Sequence, residues 1–274
     1  MSTRPVSPQE IKAVLQSLSD ADTVIVGGQG VNVWSCIYER PDSEPWRSGR
    51  PYTSRDADAL ADRAEMVKMA RSLEQNGFEI TVQLPRTEQE RSVNTGLVVA
   101  RKGGIELDIN LLHTVLGLSS QDLRMNAVRI VWEDTPLRLI HPLLCVESKT
   151  HNLIRLPQDN PEEPRQDRKH LLLALGNLRE HLLRRSTPVL AAQSLHTVRR
   201  LVDFAYQQPG REVLTQHGID VLESVPWKDW REGSVPEFKE LAEREAEFRK
   251  EIRERIETDA EIARWIEELK MRPE

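Results

Sequence analysis

Cysteine is scarce in this sequence: Cys36 and Cys145 are the only two in 274 residues. Two isolated thiols make neither a disulfide framework nor a zinc-ligand spacing, so a reducing, cytoplasmic setting is expected. Aromatic residues reach only 5%. The tryptophans are scattered and expected mostly in the core, except Trp46, which sits in a proline-rich loop and is suited to stacking on a base. No apolar run approaches the roughly 18–20 residues that cross a bilayer, so no membrane partner is expected. The opening MSTRPVSPQEIKAVLQSL holds no apolar signal core and reads as a short tail before an amphipathic helix. No repeat and no low-complexity tract is found. The histidines show no zinc-type pairing, and Ser35 has no visible His–Asp partnership, which leaves it a helix residue rather than a nucleophile.

What the chain does have is charge. Charged residues make up 30% of it, with a net charge of −6. That balance excludes a protein that coats DNA indiscriminately but not one with a local basic face. Residues 164–200 carry eight basic and two acidic side chains, whereas residues 231–274 carry ten basic and fourteen acidic. The basic stretch suits an RNA backbone, and an ordinary charged helix face fits the same residues. The acidic tail suits a solvated amphipathic cover or a partner surface.

Periodicity divides the chain in two. Ser7 with Pro8 reads as the start of a first helix, and DTVIVGG as a buried strand running into a glycine turn. Residues 39–53 form a proline-rich loop. Leu60, Ala64, Val67, Ala70 and Leu73 step at helical spacing, and Gly77 ends that helix. FEITVQL, TGLVVAR and IELDINLL read as consecutive strands, the last two joined at Gly103 and Gly104, with short strands in VRIVWED and TPLRLI. From His141 onward the pattern is almost wholly helical, over 167–184, 188–207, 211–223 and 236–270. A Thr258–Glu261 capping box restarts the last helix. The expected class is α+β, with a sheet domain over 1–140 and a helical domain over 141–274.

The stretch SRDADAL places Asp56 and Asp58 two residues apart. On a strand they face the same way, as do Glu106, Asp108 and Asn110 in GGIELDINLL. A solvated strand face fits this pattern. So does a site for a nucleoside triphosphate. A turn at Gly27 and Gly28 lets backbone N–H groups approach a phosphate, and carboxylates hold magnesium, which prefers hard oxygen ligands. A third carboxylate is placed to accept a proton. Asp108, framed by Leu107 and Ile109, is preferred over Glu106 for that part.

This order of a glycine pair, Asp-x-Asp and a later strand acid resembles the nucleotidyltransferase superfamily. Within it, the chain is most similar to the AbiEii and MenT group of toxin nucleotidyltransferases from type IV toxin–antitoxin systems. HPLLCVESKTHNLIRL supplies the group's lysine as Lys149, and RQDRKHLLLAL supplies its helix-opening aspartate as Asp167. The resemblance spans roughly residues 20–180. It implies a polymerase beta-like mixed sheet with flanking helices, followed by a helical C-terminal domain. Gly27, Gly28 and Lys149 would contact the triphosphate. Asp56, Asp58 and Asp108 would bind Mg2+, with Asp108 as base, and Asp167 would organise the second half of the site. The implied acceptor is RNA, at tRNA 3′ ends, reached through the basic stretch, in a toxin with a protein antitoxin. Three features depart from the pattern: the long spacer between Gly28 and Asp56, Ala57 in place of a larger aliphatic residue, and His170 in place of a second acid. These keep two alternatives open. One is a catalytically silent relative that binds nucleotide, RNA or a protein partner. The other is an enzyme that modifies a small molecule or a protein side chain.

Overall fold

The computed structural model describes residues 5–38, 52–157 and 165–270. Most of the proline-rich loop, with Trp46, lies outside them. The chain divides into two compact units, Met1–Asn177 and Leu178–Glu274. The division drawn from sequence texture, at residue 140, falls earlier.

The first unit is a seven-stranded mixed sheet with helices. In chain order its elements are α1 (Lys12–Asp20), β1 (Val24–Val26), α2 (Gly27–Ile37), β2 (Asp56–Leu60), α3 (Arg63–Gln75), β3 (Glu79–Gln83), α4 (Glu88–Val93), β4 (Asn94–Lys102), β5 (Ile105–Leu112), α5 (Ser120–Met125), β6 (Val128–Trp132), β7 (Thr135–Leu139) and α6 (Pro142–Arg155). The helix α7 (Asp167–Arg184) follows and runs from the first unit into the second. The strand order is β3-β4-β5-β2-β1-β7-β6. β2 runs parallel to β5 and antiparallel to β1, while β4 is antiparallel to both β3 and β5.

Alternation gives this sheet two different faces. On one, Ile25, Ala57, Ala59, Val98, Ala100, Leu107, Ile109 and Leu111 are all buried. The helix α3 covers part of this face, where Gly96 leaves room for Met66: a Cβ on Gly96 would stand 2.8 Å from the Met66 sulfur. The opposite face carries Asp56, Asp58, Glu106, Asp108 and Asn110, none of them fully buried. A strand pattern that is apolar on one side and acidic on the other therefore encodes both the core and an acidic face.

Local signals explain where elements start and stop. Asp62 caps α3 in a capping box, its side chain accepting from the Glu65 N–H at 2.8 Å while Glu65 accepts from the Asp62 N–H at 2.7 Å. That cap puts Leu60 in β2 rather than in the helix, and Met66, Met69 and Leu73 form its buried stripe. Val67, assigned to the apolar stripe by spacing, is 43% exposed. Ser7 and Glu10 exchange the expected cap bonds, yet only a turn follows and α1 begins at Lys12.

The second unit is helical: the end of α7, then α8 (Ala191–Tyr206), α9 (Gln208–His217), a 3-10 turn at Val221–Ser224, α10 (Trp227–Glu232), α11 (Pro236–Glu243) and α12 (Glu245–Lys270). Its core holds an aromatic cluster in which Trp230 stacks on Phe238 with ring centres 4.4 Å apart and Trp227 meets Trp230 edge-on. The break expected before Thr258 is absent. Thr258 sits within α12 and donates its hydroxyl to the Glu254 carbonyl one turn back, a bond that leaves the helix continuous. Trp265 is 59% exposed, unlike the tryptophans of the core.

Asp62→Ala removes one half of the capping box without touching the acidic face. The expected result in urea denaturation is a loss of about 1 kcal/mol with an unchanged slope.

Candidate active site

The site is built around the start of α2. β1 ends at Val26, and Gly27 turns the chain with φ +61°. A Cβ on Gly27 would lie 1.9 Å from an Asp58 carboxylate oxygen, and one on Gly28 would lie 2.5 Å from the Ser54 hydroxyl. The glycine pair is therefore required by close approach as well as by backbone angle. α2 starts here with no side-chain cap bond at its N-cap, and the first turn of a helix carries N–H groups without intrahelical partners, which favour an anion.

The register fixes the acids. Asp56 pairs with Asp108 and Asp58 with Asn110 across parallel strands, and Val26 pairs with Asp58 across the antiparallel ones. The Asn110 amide donates to both carboxylates, at 3.3 Å to Asp56 and 3.0 Å to Asp58. Ser54 donates its hydroxyl to Asp56 at 3.1 Å. Among the described residues, no group of three His, Cys, Asp or Glu side chains is gathered to hold a metal ion. Asp56, Asp58 and Asp108 thus share a face and a register, while the tight pair is Asp56 with Asp58.

Like charge raises the cost of this pair. Burial pushes the Asp58 carboxyl up to about 7, and the Asp56 carboxylate adds to the shift against the opposing pull of Lys149, Asn110 and Arg165. Asp108 is also raised, by burial first and then by Glu106 and Asp56. Glu106 is held by Arg101 at 2.6 Å, which leaves Asp108 as the acid of β5 without a salt-bridge partner among the described residues.

Opposite the acids stand cations. Lys149 on α6 is 6% exposed and lies 3.6 Å from Asp167, which opens α7. Arg165 also reaches Asp167, at 2.6 Å, and the Asn152 amide donates to it at 3.4 Å. Burial alone would raise the Asp167 carboxyl, but Lys149 and Arg165 outweigh it and hold it below the ordinary range. His170, one turn along α7, is buried, and burial first, then Lys149, pushes its pKa down to about 3. It is a neutral imidazole at working pH. Its Nε2 has no hydrogen-bond partner among the described residues.

These groups line one cavity of about 240 Å3, walled by Gly28, Asp56, Asp58, Lys149, Arg165 and His170. The residues singled out in sequence as Gly27, Gly28, Asp56, Asp58, Lys149 and Asp167 are thus brought together, and Asp108 stands beside them on the next strand. Ser54, Asn110, Asn152 and Arg165 were not singled out. Asn110 carries a readable signal, since it shares the two-residue period of Asp108, and Arg165 lies two residues before the helix-opening Asp167.

No protein-family model and no curated protein matches this sequence. Among solved structures, the chain is similar to the antibiotic-resistance factor ANT(2'')-Ia, with 13% identity, over 71% of this chain and 100% of that one, at a TM-score of 0.37. It is also similar to an antigenic nucleotidyltransferase-like protein from Paracoccidioides brasiliensis, with 15% identity, over 81% and 96% of the two chains, at a TM-score of 0.36.

The raised Asp58 makes stability depend on pH. A carboxyl raised from 3.8 to about 7 keeps a proton that the unfolded chain releases. Its contribution is full below pH 4 and is lost as pH rises through 7. Asp58→Asn keeps the shape and removes the titration. Without divalent cations, its stability relative to wild type is expected to rise between pH 5 and pH 8 by on the order of 2–4 kcal/mol in chemical denaturation. A constant difference across that range would contradict the assignment.

Proposed function

We propose that this protein is a nucleotidyltransferase, which moves a nucleoside monophosphate from a nucleoside triphosphate to an acceptor hydroxyl and releases pyrophosphate. The observation that carries the reading is the 240 Å3 cavity, with the glycine turn and the Asp56–Asp58 pair on one side and buried Lys149 with Arg165 on the other. Anionic phosphates fit the cations and the helix N-terminus, and the two carboxylates call for a cation between them and those phosphates.

Each residue has a definite task in this reading. Backbone N–H groups at Gly27 and Gly28 bind phosphate oxygens, while Lys149 neutralises them. Asp167, itself held by Arg165, keeps the lysine in place, because an ammonium buried without a partner is costly. Asp56 and Asp58 fit Mg2+, which uses one or two carboxylates together with substrate phosphates. When bound, the ion would supply charge stabilisation for the phosphoryl group in transfer. Asp108, with its raised pKa, accepts the proton of the attacking hydroxyl.

The resemblance extends this reading to RNA, tRNA 3′ ends and a toxin with an antitoxin. Within the basic stretch, however, Arg179 is bonded to Asp229, Arg185 to Gln193 and Arg165 to Asp167. The Arg179 and Arg165 charges, already paired with carboxylates, give less to an RNA backbone. That observation favours the second reading, transfer to a smaller acceptor.

The test is incubation with each α-labelled triphosphate and magnesium. Asp56→Asn removes a charge that the transition state needs, and transfer is expected to fall on the order of 10³-fold or more. Lys149→Ala is expected to lose part of the transfer and also some stability, since the side chain is buried. Equal transfer by wild type and Asp56→Asn would move the chemistry elsewhere. Triphosphate binding with no transfer to any acceptor would make this a silent relative.

A further inference from the structure

A larger cavity opens on the other flank of the carboxylate pair. Its volume is about 670 Å3, within the range of small-molecule sites, and Asn110 lies in its wall. Asn110 also bonds both Asp56 and Asp58, so the cavity begins where the acids end. Its floor is the acidic face continued across β5, β4 and β3, because Asn110 pairs with Leu97 and Leu97 with Gln83. The far side is made by Leu84, Pro85 and Arg86 and by α4 through Glu90.

The two cavities lie on opposite sides of the acids. Glycine turn, Lys149 and Arg165 line the smaller one, and none of them lines the larger. In-line transfer to phosphorus places the attacking and leaving oxygens on opposite sides of the reacting atom. If the cationic flank receives the pyrophosphate, the attacking hydroxyl arrives from the flank of Asn110 and Asp108.

Resting on the nucleotidyl-transfer reading, we propose that the cavity between β3, β4, β5 and α4 is the acceptor subsite and takes an uncharged, hydroxyl-bearing small molecule. Its lining supplies amides (Gln83, Asn94, Asn110) for hydroxyl groups and an apolar surface (Leu84, Pro85, Leu97) for a ring or carbon frame. Among the described residues it offers one cation, Arg86, and one anion, Glu90. The Glu90 carboxylate already accepts the Arg86 and Thr87 N–H groups. A polyanionic strand needs a run of cations, which is not found among the described residues of this lining. In the step itself, the acceptor oxygen forms a bond to the α-phosphorus and its proton passes to Asp108. The bond from the α-phosphorus to the bridging oxygen breaks, and pyrophosphate leaves with that electron pair.

The test uses the full chain, α-labelled triphosphates with magnesium, and two acceptor pools from a cell extract: molecules below about 1 kDa, and total RNA. Leu97→Trp fills the cavity from β4, and Gln83→Trp does so from the exposed edge strand β3. The expected result is label in new small-molecule species, with kcat/KM for that pool lowered at least tenfold in either folded variant. The dissociation constant for the triphosphate should stay within twofold of wild type. Label in RNA alone, or undiminished transfer by both variants, would overturn the proposal and leave the transferase reading standing. Weakened triphosphate binding in the variants would assign the cavity to the nucleotide instead. A wild-type protein that binds no triphosphate would sink both readings.

Discussion

Two carboxylates held side by side at the end of a short strand set the terms for the rest of the first unit. Asp56 and Asp58 point the same way because strands alternate, and burial, with the Asp56 charge added to it, pushes Asp58 up to about 7. Everything near them answers that repulsion or makes room for it. Asn110 donates to both, Ser54 to one, and Gly27 gives up a side chain so that Asp58 has space. The cations are set at the far wall, where Lys149 and Arg165 converge on Asp167. An array so divided attracts a ligand that is itself divided, anionic at one end and able to bring a cation at the other.

The sheet makes this division possible. Parallel pairing of β2 with β5 puts Asp56 beside Asp108 and Asp58 beside Asn110, so one register sets four polar side chains at once. A slip of either strand by a single residue would turn its two polar side chains into the core. Buried Ala57, Ala59, Leu107 and Ile109 on the reverse face oppose such a slip. The small Ala57, which departs from the resemblance, is fully buried there beside Ile109.

Much of this could be read in the sequence, for reasons that differ by element. The strand at Val24 followed from its apolar run into a glycine turn, the shared face of Asp56 and Asp58 and the strand around Ile105 from period-two alternation, and the helix from Pro142 from the helical texture after His141. The acids and glycines of the site followed from the same local patterns. Less readable were the features decided by distant partners. Asp62 ends β2 and starts α3 through a reciprocal bond with Glu65, and the Leu60 stripe gave no sign of it. The Thr258–Glu261 signature lost to the continuity of α12. Asn110 and Arg165 acquire their roles only through residues more than fifty and two positions away, respectively, and the first of these needs the sheet to be known.

The contact between Gly27 and Asp58 also bears on how such a site can be lost. While the aspartate is present, any side chain at position 27 collides with it, so the glycine cannot change first. Once the aspartate has been replaced by something smaller, the steric bar is gone and only the φ of +61° still favours glycine. A side chain that then enters takes the place of the aspartate, which cannot return. Divergence at this pair works as a ratchet: substitutions accumulate in one order and do not retrace it. A chain that still carries both residues has not taken the first step.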